Sequence, residues 1–273
     1  MQPECSVLLG RRVVAARAEP PSSSSSTDGS SGQQSSDNGQ LLFSLGIGAL
    51  WLCLLAYAFL LAPNQTPYRD QIFIERILGI GEKDGFIVNP VFVGLFNIMG
   101  VYPAIYASLL VPAGRSENKV PAWPFVTVSF FLGAFALLPY MALWRPFRRS
   151  EDNPLPPPAS ELEGWNKLFL KGAETPVMPA LLLAGSAYCI YLAATAGDYY
   201  WLDYLKLFDE SRLVHVTTID FATLTLLAPF WMELDASGRN WSQRGSLLTV
   251  LSFLPVVGPC IYLLLRPKAE QPK

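Results

Sequence analysis

The chain has 273 residues, of which 51% are apolar and only 15% charged, and its net charge is −2. A soluble protein of this size carries about 25% charged residues. The deficit, together with the lack of any basic domain, excludes a nucleic-acid-binding module and points to lipid as the solvent of most of the chain.

Residues 1–40 read as an address. The first 18 hold Arg11, Arg12 and Arg17 but one acid, Glu4, and a Pro20-Pro21 pair then opens a Ser/Gly/Gln/Asp run that ends at Gln40. The apolar run Val7-Leu8-Leu9 is too short for a secretory signal, whereas Arg-rich, Ser-rich and acid-poor composition fits an organellar transit peptide. The stretch Val13-Val14-Ala15-Ala16-Arg17-Ala18 resembles small-residue processing sites of plastid transit peptides. The same composition also suits a disordered polar tail.

Beyond it, the expected fold class is all-α: a polytopic membrane domain over 41–267 with about six transmembrane helices, then a short tail, 268–273. A bilayer core of about 30 Å needs about 20 helical residues. Six apolar segments reach that length: Leu41–Ala62, Ile87–Val111, Pro121–Trp144, Val177–Ala196, Leu213–Met232 and Ser246–Leu265. Between the first two, apolar positions 72, 73, 77 and 78 alternate with charges at 69, 70, 75 and 76, the pattern of a short interfacial helix. The longest connection, 145–176, contains the stiff run Pro154-Leu155-Pro156-Pro157-Pro158. No connection is large enough for a soluble catalytic domain. The basic cluster Arg145, Arg148 and Arg149 suggests that 145–176 faces the stroma.

The third and sixth segments share a pattern: Thr127-Val128, Pro139 and Arg145-Pro146 in one, Thr249-Val250, Pro259 and Arg266-Pro267 in the other. The second and fifth each carry a mid-span polar residue (Asn97, Asp220) and a later proline (Pro103, Pro229). A three-plus-three duplication has inverted topology, because three spans flip the chain, as in many transporters.

The fifth segment holds the chain's only histidine, His215, and the only carboxylate deep in a span, Asp220. A carboxylate in lipid costs several kcal/mol unless paired or protonated, so it faces the bundle interior. Thr217, Asp220 and Thr223 fall at steps of three and form one stripe, while His215 lies about 140° away from Asp220 around the helix. One reading makes His215 and Asp220 an acid/base pair, with Asn97, Thr217 and Thr223 as ligand-binding partners. The other makes them a polar network that ties helices together, with Asp220 bonded to Asn97. A single His with no nearby second ligand gives no metal site. Cys53, Cys189 and Cys260 lie in apolar segments as packing residues. The sequence carries no Walker loop, dinucleotide fingerprint or nucleophile elbow, and so names no cofactor.

Glu210 to Arg266 resembles the last two helices of the plastid and cyanobacterial neoxanthin-deficiency (abscisic-acid-deficient-4-like) membrane family. The likeness lies in His215 and Asp220 five apart, Phe221 after the Asp, and a Pro/Gly-interrupted last helix, Pro255-Val256-Val257-Gly258-Pro259, ending at Arg266. The chain also resembles six-helix membrane proteins of cyanobacteria and plastids. These resemblances imply a multi-pass chloroplast protein of the thylakoid or inner envelope. Its expected role is to assist carotenoid metabolism or photosynthetic-complex assembly, with the bilayer and a carotenoid or a complex subunit as partners. A proton-coupled carrier using Asp220, and a xanthophyll-converting enzyme using His215 and Asp220, are the alternatives.

Overall fold

A computed structural model describes residues 29–81, 85–113, 116–146, 170–241 and 244–268. The targeting motifs before residue 29, the Pro154–Pro158 connector and residues 269–273 lie outside the described residues. The chain divides into two compact units, Met1–Gly39 and Gln40–Lys273, and the second holds the packed bundle. The described residues are helical, with one isolated bridge and no strand.

In chain order the helices are α1 (Gly29–Ala56) with a π-helical turn over Tyr57–Leu61, α2 (Pro67–Ile77), α3 (Pro90–Ala113), α4 (Trp123–Leu132), α5 (Ala134–Leu143), α6 (Val177–Ala194), α7 (Asp198–Glu210), α8 (Arg212–Gly238), α9 (Arg244–Ser252) and α10 (Val257–Leu265). α1 runs back beyond the apolar run into the Ser/Gly/Gln stretch expected to be irregular. A helix already nucleated by an apolar span propagates cheaply into polar residues that contain no proline. Four helices, Asn38–Leu61, α3, α6 and α8, are long and apolar enough to cross a membrane. The protein is accordingly a membrane-associated, multi-pass helical protein.

The third and sixth apolar segments are not single helices of crossing length. Each is a helical hairpin whose ends meet. Around the first, Ser116 forms an antiparallel bridge with Pro146, Glu117 N donates to Arg145 O at 3.2 Å, and the Phe125 and Tyr140 rings lie 5.6 Å apart. In one straight helix those two residues would stand about 22 Å apart. Around the second, the Trp241 and Tyr262 rings lie 5.8 Å apart and Arg239 donates to Pro267 O at 2.8 Å. The reversals have a local cause. Gly133, the residue before α5, and Val256, the residue before α10, both have φ of 53°. That left-handed conformation is easy for glycine and strained for a β-branched residue, and neither can continue a right-handed helix. Length alone predicted spans here. Two arms of about ten residues, each about 15 Å long, have the same total length as one crossing helix.

This changes the repeat. Each half of the bundle reads long helix, short amphipathic helix, long helix, hairpin: α1, α2, α3, α4–α5, then α6, α7, α8, α9–α10. Two helices per half are long and apolar enough to cross, so the halves run parallel rather than inverted. Both hairpins open at the end where α3 and α8 finish, while α2 and α7 lie at the opposite end, where Arg69 pairs with Glu210 at 3.1 Å. Tyr102, Ile105, Tyr106, Leu137, Leu138, Trp231 and Met232 form the centre of the core. α3 and α6 approach closely because Gly94 has no side chain: a Cβ there would sit 2.8 Å from Cys189 O.

Candidate functional site

Asp220 projects from α8 to the tip of the first hairpin. Its Oδ1 accepts a 2.6 Å hydrogen bond from Ala134 N, the first residue of α5. The carboxylate thus meets both an orphan amide and the positive end of a helix dipole. Gly133 makes room for it, since a Cβ at that position would overlap Asp220 Oδ2.

The second hairpin is held the same way by the other half. Tyr102 of α3 accepts from Val256 N at 3.2 Å, and its hydroxyl lies 2.6 Å from Thr225 Oγ1. Thr225 donates its own proton to Phe221 O at 2.8 Å, so in the second contact Tyr102 is the donor. Each hairpin tip is therefore capped by a long helix of the opposite half. Tyr106 adds a bond to Leu224 O at 2.7 Å.

His215 sits near the start of α8, away from both tips. Its Nδ1 faces Phe208 O at 2.8 Å and its Nε2 faces Tyr57 Oη at 2.8 Å. A carbonyl only accepts, so Nδ1 carries a proton, and in the neutral ring Tyr57 donates to Nε2. The ring stacks on Phe208 with centroids 4.1 Å apart. His215 anchors α1 against α8, with both nitrogens occupied. Asp70 organises the same end: it accepts from Ser211 Oγ at 2.6 Å and from Leu213 N at 3.0 Å, capping α8 from α2.

The expected pairings therefore separate. His215 and Asp220 serve different elements. Asn97 is exposed and donates to Val93 O of its own helix at 2.8 Å, so it does not meet Asp220. Thr223 bonds Ile219 O at 2.9 Å, and Thr217 is half-buried. Among the described residues no three His, Cys, Asp or Glu side chains cluster as a metal site.

Two further features were not anticipated. At the hairpin end, Asp235 Oδ2 receives Arg239 Nε at 2.9 Å, Arg266 Nη1 at 3.0 Å and Tyr262 Oη at 2.6 Å. Glu174 Oε1 receives Arg239 Nη2 at 2.7 Å. Burial works against the Arg239 charge, but Asp235 and Glu174 outweigh it and hold the guanidinium protonated. The second feature is a cleft of about 360 Å³ between α3, α6, α7 and α8. Val91, Leu95, Ile98 and Phe221 line one side, and Ile190, Ala193 and Trp201 the other. Ile190, Ala194 and Trp201 are exposed, so the cleft opens on the flank of the bundle.

The fold and these contacts define a multi-pass membrane protein of two parallel halves, each ending in a capped helical hairpin. No protein-family model, curated protein or solved structure matches the chain.

Proposed function

We propose that the protein is a multi-pass component of a plastid membrane, thylakoid or inner envelope, that holds an elongated apolar molecule such as a carotenoid in the α3/α6/α7/α8 cleft. In that role it assists pigment metabolism or the assembly of pigment-bearing complexes. The cleft is the observation that carries this reading. Its volume of about 360 Å³ falls within the range of small-molecule sites, its walls are apolar and aromatic, and it opens sideways towards the acyl chains. It accommodates one end of a polyene, with the rest lying along the bundle. The transit-like composition before residue 29 supports the plastid address.

Purification of the native protein in mild detergent, followed by pigment extraction and native-gel analysis, tests the proposal. A stoichiometric polyene or a co-migrating photosynthetic complex is expected. Protein free of both, from membranes rich in pigment, would defeat it.

A second reading, a proton-coupled carrier, draws on Asp220 at the tip of a broken segment, the position where transporter helices place coupling sites. Uptake into proteoliposomes that is unchanged by Asp220→Asn would remove it. Acid/base catalysis by His215 with Asp220 gains no support, because their polar atoms bind different elements.

A further inference from the structure

We infer that the cleft selects a lipid-phase alcohol, whose hydroxyl group donates a hydrogen bond to Tyr204 Oη. This rests on the cleft being a ligand site, and it follows from where the protons of its polar lining are committed.

Trp201, Tyr204 and Thr218 supply the strong side-chain polar groups of the cleft. Trp201 Nε1 donates to Ala193 O at 2.9 Å. Thr218 Oγ1 donates to Val214 O at 2.6 Å. A hydroxyl has one proton, so the 2.8 Å contact between Tyr204 Oη and Thr218 Oγ1 is a bond from Tyr204 to Thr218. Burial raises the Tyr204 phenol above its ordinary value, against the opposing effect of the Thr218 bond, which keeps that proton in place. All three donors are thus in use, while the Tyr204 oxygen retains a lone pair. Cys189 adds only a weak S–H donor. The strong polar groups of the lining accept and do not donate. A ligand bearing a hydroxyl finds a partner; an ether, ketone or ester of the same shape leaves its own acceptor unpaired in an apolar wall.

The test uses the full chain in phosphatidylcholine nanodiscs, titrated with retinol and with retinyl methyl ether. Both probes quench tryptophan emission by energy transfer, and they differ in one donor. Retinol is expected to saturate about fivefold to tenfold more tightly than the ether, the worth of one net hydrogen bond. Tyr204→Phe is expected to abolish that preference while leaving ether binding unchanged. Thr218→Val frees the Tyr204 proton to face the cleft, and is expected to improve ether binding. Saturable binding of both probes with equal affinity in the wild-type protein, or a preference that survives Tyr204→Phe, overturns the selectivity but leaves the cleft as a site. No saturable binding of either probe overturns the cleft reading and this inference with it.

Discussion

Asp220 and Ala134, 86 positions apart in sequence, are joined by a 2.6 Å hydrogen bond that ties the middle of α8 to the first turn of α5. The bond makes the tip of one hairpin dependent on a helix of the other half. It gives a membrane-embedded carboxylate a structural task whatever ligand the protein handles. Its pseudo-symmetric counterpart is Tyr102 on Val256, where the donor is again the backbone before or at the start of a hairpin's second arm.

Substitutions at this contact should rank by hydrogen-bonding capacity. Asp220→Asn keeps an oxygen for Ala134 N and should stay close to wild type in thermal stability in detergent. Asp220→Leu leaves that amide unpaired and should lose about 1–3 kcal/mol. Gly133→Ala should be at least as damaging, since it adds a Cβ where Asp220 Oδ2 lies and strains a φ of 53°. A Leu variant as stable as the Asn variant would mean that the cap contributes nothing.

The second tip offers a coupling measurement. Tyr102→Phe removes the acceptor of the buried Val256 amide and the donor to Thr225, and should cost about 1–3 kcal/mol. Thr225→Val should cost less. In a double-mutant cycle the pair should show an interaction of about 0.5–3 kcal/mol, because the residues share one bond. Strict additivity would contradict the 2.6 Å contact.

Asp235 faces two arginines with a side chain that is itself fully buried. Asp235→Ala should therefore destabilise by about 3–5 kcal/mol, by leaving guanidinium charge without its partner. Glu174→Gln, at the edge of the cluster, should cost less because its side chain is 17% exposed. Melting temperatures and folded yield of the two variants check the order; Glu174→Gln as the worse of the pair would refute it.

The hairpins make a topological prediction. Single cysteines at Glu117 and Arg145, in a cysteine-free background, should react with an impermeant maleimide from the same side, and Lys206→Cys from the other. A crossing third segment would put positions 117 and 145 on opposite sides. Charge agrees with the hairpins: the sequence segments 113–122, 144–176, 239–245 and 266–273 hold twelve Lys and Arg, against five in 62–89 and 195–212. With six crossing spans the same residues divide almost evenly. By the positive-inside rule the hairpin openings are expected on the side of the membrane that keeps the more basic loops, and the labelling side checks this.

Much of the layout was readable from residues 41 onward. Four of the six apolar segments became crossing-length helices, three with ends within three residues of those expected and α8 extending six residues further, and the alternation over 69–78 became α2. α7 was missed, although Asp198-Tyr199-Tyr200-Trp201-Leu202-Asp203-Tyr204 carries the same interfacial mixture. The correspondence between the third and sixth segments reappears as two hairpins, but with two crossing-length helices per half the inverted topology expected of three spans gives way to a parallel one. The candidate site fared similarly. Asp220 was found because a lone carboxylate in an apolar run is conspicuous, whereas its partner is a backbone amide, which carries no sequence signal. Trp51, in the middle of the first apolar segment, likewise finds a backbone partner, donating to Phe135 O at 3.0 Å on the first hairpin.

Composition and hydropathy alone determined that this chain is helical and lives in lipid, because burying apolar side chains and pairing every backbone amide are requirements each segment meets locally. They also marked α8 as the unusual helix. Whether about twenty apolar residues cross or turn back was decided by tertiary structure. A positive φ at Gly133 or Val256 leaves amides that only a side chain from another helix can satisfy, and Asp220 and Tyr102 reach them only once the two halves have packed together.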